Sequence, residues 1–258
     1  MIWDRDERTA ILRHPDLAQF CRCVVAVGGD GTVADVINEL SGSVPLANLP
    51  SGNENLFAQE FGFTRDASNL ARRIALGHAC QIDLARANGR LFSLMLSAGF
   101  DAAVVHRVVA WRSGDTGLRR VSRLSYAKPI VLSLRTYRYH RVGLETEEVS
   151  VEGAHALVFN LPRYGFHLPF APDARGDDGW LDWVVFQRPG LGPLLAYAWA
   201  VLRGKHRFRQ DVRYGRARRI RIVSEETMPI QMDGEAAGFT PVTIEVVPRA
   251  LNVLVDSD

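Results

Sequence analysis

The sharpest change of hydrophobic rhythm lies between residues 23 and 40. Val24, Val25, Ala26 and Val27 form an unbroken apolar run, as a strand covered on both faces does. After Gly28, Gly29, Asp30, Gly31 and Thr32 the apolar residues recur as Val33, Val36, Ile37 and Leu40, at i, i+3, i+4 and i+7. That spacing predicts a helix with one buried face, with Asp35, Asn38 and Glu39 turned outward and Thr32 or Asp30 as the cap. Strand and helix go on alternating, with a strand over 44–48 and helices over 54–61 and 67–75. The predicted class for this part is an α/β layer on a parallel sheet.

Beyond residue 81 the rhythm changes to β-type runs at 91–96, 153–160, 180–186, 219–223 and 243–248, with helical stretches at 102–111, 125–134 and 194–202. A mainly antiparallel β unit is expected there, so two domains are predicted, 1–83 and 84–258. An apolar share of 47% with 23% charged residues is that of a soluble globular chain and excludes a disordered or fibrous one. Cys21, Cys23 and Cys80 are odd in number and lack metal-ligand spacing, which favours a reducing, cytoplasmic setting over a disulfide framework. The histidines are scattered without paired spacing, which argues against zinc. Asp4, Arg5, Asp6, Glu7 and Arg8 interrupt any hydrophobic leader. The longest apolar stretch, 191–202, contains Gly192 and Pro193 and falls short of the ~20 residues that span a bilayer, so a membrane would be met peripherally.

Candidate chemistry begins at the glycine turn. Three glycines in four positions let the backbone approach a ligand, and the following helix aims its free N–H groups and positive dipole end at the turn. A turn that binds nothing is the competing reading. Asp30 tilts the balance, because a carboxylate beside phosphate calls for a cation between them, which suggests a Mg²⁺-nucleotide. Position 33 is Val, so the dinucleotide fingerprint is incomplete, and the Gly-Lys-Ser/Thr ending of a P-loop is missing.

GGDGTVADVINEL (28–40) resembles the glycine-rich motif of the diacylglycerol kinase catalytic-domain family, which includes sphingosine and ceramide kinases and bacterial lipid kinases; NAD kinases share GGDG more remotely. LPSGNENLFA (49–58), SAGFDA (97–102), APDA (171–174) with DDGWLD (177–182), and MDGE (232–235) leading to PRAL (248–251) match that family in order. The resemblance implies a nucleotide-binding α/β domain, a β-rich lipid domain, an active site in the cleft and a C-terminal tail that returns to the first domain. It implies an ATP-dependent kinase that phosphorylates a lipid hydroxyl, diacylglycerol or sphingoid-like, at the membrane surface. Gly28, Gly29, Asp30, Gly31, Thr32, Val33 and Ala34 would then cradle the nucleotide, with Asn53 where the family has a nucleotide-contacting Thr. Leu56 stands where its Asn-Asp pair supplies an acid. Glu235 would be the general base, with Asp233 beside it opposing loss of a second proton. A structural Mg²⁺ would be held by the Asp178 side chain and the backbone of Arg175 and Trp180, against the competing reading of a plain Asp-Gly turn.

Family members open with a strand, an Asn-Pro-containing glycine turn and a helix, whereas 27 residues precede Gly28 and none resembles that turn. A first domain truncated at its start, with an exposed sheet edge, is therefore expected. Charge adds a partner. Nine Lys or Arg against Asp211 fall within 203–221, directly after the apolar stretch, and a second basic stretch runs over 107–141. An anionic bilayer attracts such residues by roughly 1 kcal/mol each, although a solvated face is the competing reading. Nucleic acid is not expected, since no binding motif accompanies the charge. A homodimer is compatible with the sequence. His167, among Pro162, Tyr164, Phe166 and Pro169, borders a lipid pocket or is an ordinary loop residue. Two alternatives to a lipid kinase stay open: a nucleotide- or lipid-binding relative without turnover, and a kinase of a soluble acceptor such as NAD.

Overall fold

The computed structural model describes residues 4–41, 43–113, 127–165 and 167–256. Two short helices, α1 (Arg5–Leu12) and α2 (Leu17–Phe20), lead into β1 (Val24–Gly28), α3 (Asp30–Glu39), β2 (Leu46–Pro50), α4 (Leu56–Glu60) and α5 (Ala67–Leu76). β1 pairs in parallel with β2, from Val24 opposite Leu46 to Gly28 opposite Pro50, with α3 as the crossover. β1 is an edge strand of this sheet.

Next come β3 (Ala79–Ala87), β4 (Arg90–Phe92), β5 (Met95–Ala98), α6 (Phe100–Ser113), α7 (Ala127–Thr136), β6 (Val142–Glu145), β7 (Ser150–Gly153), β8 (His155–Phe159) and β9 (Leu181–Phe186). They are followed by α8 (Leu191–Leu202), a 3₁₀ turn (His206–Phe208), β10 (Val212–Ala217), β11 (Arg219–Ser224), β12 (Pro229–Met232), β13 (Glu235–Phe239) and β14 (Val242–Leu254). The start of the predicted 125–134 helix, the middle of the basic 107–141 stretch and Phe166 lie outside the described residues.

The long strand β14 is the joint of the molecule. It pairs antiparallel with β11 and β3, and near its end it meets β2 in parallel, Val253 opposite Leu46. One sheet therefore runs β1-β2-β14-β11-β6-β7, with β3 and β4 attached to β14. A second, antiparallel sheet of order β10-β9-β8-β5-β12-β13 faces it. Ile220, Ile222 and Ile244 from the first and Leu96, Val158 and Val185 from the second fill the core between them. In β11 the arginines Arg219 and Arg221 face out while Ile220 and Ile222 face in, so part of the basic stretch is the wet face of a strand.

Three local expectations are corrected. Neither Asp30 nor Thr32 caps α3, whose N-cap is Gly29 without a side-chain bond. Asn38 is not turned to solvent: its Nδ2 donates to Leu91 O at 2.9 Å and its Oδ1 accepts from Leu91 N at 2.8 Å. Glu39 likewise pairs with Arg8 at 3.1 Å. The polar face of α3 meets β4 and α1, two elements that its own periodicity does not announce. The single predicted strand over 91–96 divides into β4 and β5, and β3, missing from the predicted strands, joins β4 through a turn on Asn88 (φ 50°) and Gly89 (φ 74°), a residue pair that favours this turn.

Candidate functional site

The 28–32 turn and the 51–55 turn touch through glycine. A Cβ on Gly52 would lie 2.6 Å from the Gly29 Cα, so the two backbones meet where no side chain fits. Ser51 N donates to Gly28 O at 3.0 Å, and Asn55, at φ 53°, closes the second turn by accepting from Gly52 N at 2.8 Å. Asp30 joins this assembly rather than opening onto it, since its Oδ1 accepts from Phe57 N at 3.0 Å in the first turn of α4. Burial pushes its carboxyl above the usual carboxylate range, against the pull of the α4 amides. Its carboxylate thus ties the start of α3 to the start of α4.

Thr32 folds back over Gly28, where a Cβ would come within 2.1 Å of its Oγ1. The Thr32 and Val33 amides bond Gly29 O at 3.0 and 3.2 Å, which leaves the Asp30 and Gly31 amides ahead of the helical ladder. Val33 and Ala34 are buried and offer only backbone to the turn. Asn53 is exposed in the second turn, and Leu56 is buried in the core.

Glu235 reaches this place from the other sheet. A Cβ on Gly31 would sit 2.9 Å from Glu235 Oε1, which puts the carboxylate directly over the first turn of α3. Arg90, on β4, lies 3.5 Å from Glu235 Oε2, with both side chains nearly half exposed. At that exposure the pair is worth well under ~1 kcal/mol of stability, so it sets position more than fold energy. Asp233 does not face the cleft with Glu235. At φ 49° its carboxylate turns inward and accepts from Ser93 N at 2.8 Å, Leu94 N at 2.9 Å and Met95 N at 3.0 Å, with Ser93 Oγ at 3.2 Å. Burial pushes its carboxyl up to about 6, opposed by those four donors. The correction is physical: a left-handed residue before Gly234 sends two near-adjacent acids in different directions.

Residues that the motifs did not flag hold the turn. Gln231 Oε1 accepts from Gly234 N at 2.8 Å, while its Nε2 donates to Ser97 Oγ at 2.8 Å and lies 3.4 Å from Asp101 Oδ2. Ser97 Oγ also donates to Asp101, whose buried carboxyl is raised by desolvation. Asp83 is a second buried clasp, accepting from Gly179 N at 2.6 Å and Arg249 N at 2.7 Å. Of these side chains Ser97 and Asp101 lie in the SAGFDA stretch, Gln231 and Asp83 lie in none of the family-like motifs, and Arg90 follows the Asn-Gly turn that signals its hairpin.

The expected cation loop is arranged otherwise. Asp178 Oδ2 is in contact with the Arg216 guanidinium and its Oδ1 accepts from Trp180 N at 3.1 Å. Arg175 turns to Asp177 at 3.0 Å and holds that carboxyl below its ordinary range. Among the described residues no three His, Cys, Asp or Glu gather around a common point. With a guanidinium already on the single carboxylate, these residues do not fit a bound Mg²⁺. His167, at φ 61°, brings its ring 3.6 Å from Glu54 in the second turn, so its loop abuts the site.

Residues 3–87 match the diacylglycerol kinase catalytic domain, and residues 94–255 match the YegS C-terminal NAD kinase beta sandwich-like domain. The chain belongs to the diacylglycerol kinase family. A diacylglycerol kinase of Mycobacterium tuberculosis is 30% identical over 90% of this chain and 76% of its own. One from Bacillus subtilis is 27% identical over 97% of this chain and 81% of its own. The crystal structure of a diacylglycerol kinase from Bacillus anthracis str. Sterne shares the fold, with TM-score 0.69 at 20% identity over 99% of this chain and 83% of that one. As a member of the diacylglycerol kinase family the chain is of a lipid-kinase type with a two-sheet architecture, and among its described residues no helix is long and apolar enough to cross a membrane.

Proposed function

We propose that the chain transfers the γ-phosphoryl group of ATP to the hydroxyl of a membrane lipid, diacylglycerol or a sphingoid-like alcohol. The observation that carries this reading is the Glu235 carboxylate poised over Gly31 at the first turn of α3. The glycine cradle fits a polyphosphate: at Gly29 a Cβ would come within 3.0 Å of Gly52, and the Asp30 and Gly31 amides at the head of α3 together with the helix dipole favour an anion. ATP, as co-substrate, supplies the transferable phosphoryl group. Glu235 accepts the proton of the attacking hydroxyl, and its half-exposed position lets an acceptor reach it from the cleft. Arg90, beside Glu235, holds the carboxylate and offers positive charge where phosphate oxygens gather. Asp233 and Gln231 act through the backbone, keeping the turn at the depth from which Glu235 reaches Gly31.

A binding protein without turnover is the second reading, favoured by Leu56, which is apolar and buried where the family pattern has an acid. Labelled ATP and Mg²⁺ with diacylglycerols, sphingoid bases or NAD separate the readings. Label on lipid, lowered about 10²- to 10⁴-fold in Glu235→Gln with the thermal melt unchanged, is the expected result. Label on NAD, or nucleotide binding with no transfer, sinks the proposal.

A further inference from the structure

Helix α8 carries two apolar faces, and the fold covers one of them. Tyr197, Ala200 and Val201 are buried against the core. Leu191, Leu195, Trp199 and Leu202, at i, i+4, i+8 and i+11, are 42, 55, 59 and 61% exposed, and Phe208 in the following turn is 86% exposed. Single exposed leucines are ordinary, but an aligned stripe over three turns with an aromatic residue beyond its end is not. The helix itself, LGPLLAYAWAVL, contains no charged residue. Its ends are cationic: Arg188 precedes it, Arg203 and Lys205 follow it, and the Arg203 guanidinium lies 4.5 Å above the Trp199 ring. Asp211, an acid nearby, is engaged by Arg209 at 2.9 Å and lies 3.9 Å from Arg188, whose side chain is 69% exposed.

We propose that α8 and the turn after it form an in-plane docking face for an anionic lipid bilayer. The proposal rests on the lipid-kinase reading and names the surface through which that site meets its substrate's membrane. Leucine, Trp199 and Phe208 enter the headgroup boundary while Arg188, Arg203 and Lys205 meet lipid phosphates. At roughly 18 Å, twelve residues of helix lie along a bilayer and do not span it. Charge decides against a second copy as occupant, because an isologous contact would set the same cations against each other. The face is also tied to the site: His206 Nε2 bonds Phe170 O at 2.8 Å, and the loop containing Phe170 carries His167 to Glu54.

The test is co-sedimentation of the whole chain with vesicles of phosphatidylcholine, with and without phosphatidylglycerol. The unaltered protein is expected to pellet with the anionic vesicles, less so in high salt. Leu195→Ser with Trp199→Ser, and separately Arg203→Glu with Lys205→Glu, are expected to lower partitioning on the order of tenfold or more, with unchanged melting. The same variants keep their phosphorylation of a short-chain, monomeric diacylglycerol and lose that of vesicle lipid. Variants that bind vesicles like the unaltered protein, or an apolar variant that only changes the mass in light scattering, overturn the docking face. Vesicle binding lost in the variants of a protein that phosphorylates no lipid at all upholds the face and removes the lipid-kinase reading instead.

Discussion

Glu235 and Gly31 share one small volume, and that makes Gly31 a test of the site. A methyl group at Gly31 would press on Oε1, the far end of a flexible side chain, so the carboxylate swings aside at little cost to the fold. Gly31→Ala is expected to melt like the unaltered chain while losing on the order of tenfold or more in turnover, since displacement of a reacting group is costly. Full activity in that variant would break the link between the turn and the carboxylate. The two acids of the Asp233-Gly234-Glu235 turn separate by the same logic. Asp233→Ala strands three buried amides, at about 1–3 kcal/mol each, so it is expected to unfold at markedly lower denaturant, which Glu235→Gln does not. Equal denaturation midpoints would show that Asp233 is not the anchor described.

Elements are joined here by side chains that bond backbone. Asn38 clamps α3 to β4, Asp30 clamps α3 to α4, and Gln231 holds the turn between β12 and β13. Gln231→Met keeps the volume but releases the Gly234 amide. Its kcat is expected to fall while nucleotide binding is kept, read by separate kcat and KM measurements. The 174–180 loop is held by Arg216, which contacts Asp178 and lies 3.5 Å from Asp182. The apo protein is therefore expected to melt at the same temperature in Mg²⁺ and in EDTA, whereas Arg216→Met melts lower. A Mg²⁺-dependent rise in the unaltered protein would show that the loop takes a metal after all.

The whole molecule carries a buried pH dependence. His155, at the start of β8, accepts from Phe100 N at 3.2 Å, and burial lowers its pKa to about 4. Between pH 6.5 and 4 the unfolded chain takes up a proton that the folded chain refuses. Its contribution is thus complete above pH 6.5 and falls, on the order of 3 kcal/mol, as the pH drops to 4. Asp182 and Asp233, both pushed up to about 6 by burial, work in the opposite sense and favour the fold as pH falls from 6. Denaturation of His155→Leu across this range is expected to show a shallower acid loss than the unaltered chain; equal slopes would remove His155 as a source.

Much of the architecture was readable from short-range pattern. The β1–α3 turn, its glycines and the alternation of Arg219, Ile220, Arg221 and Ile222 depend on residues within a turn or a strand of each other, where periodicity speaks directly. The partners of the polar groups were not readable. Asn38 looked solvent-facing because a helical period tells which face is apolar, not whether β4 covers the polar one. Asp233 looked catalytic because the tripeptide cannot reveal a left-handed backbone that aims one acid at Ser93 and leaves the other over Gly31. Asp178 looked like a cation ligand because nothing near it in sequence announces Arg216. Local composition determined the elements and the glycine turn between β1 and α3. Only the closure of β14 onto β2 and the facing of the two sheets decided which distant charges meet, because those meetings are set by packing between segments far apart in the chain.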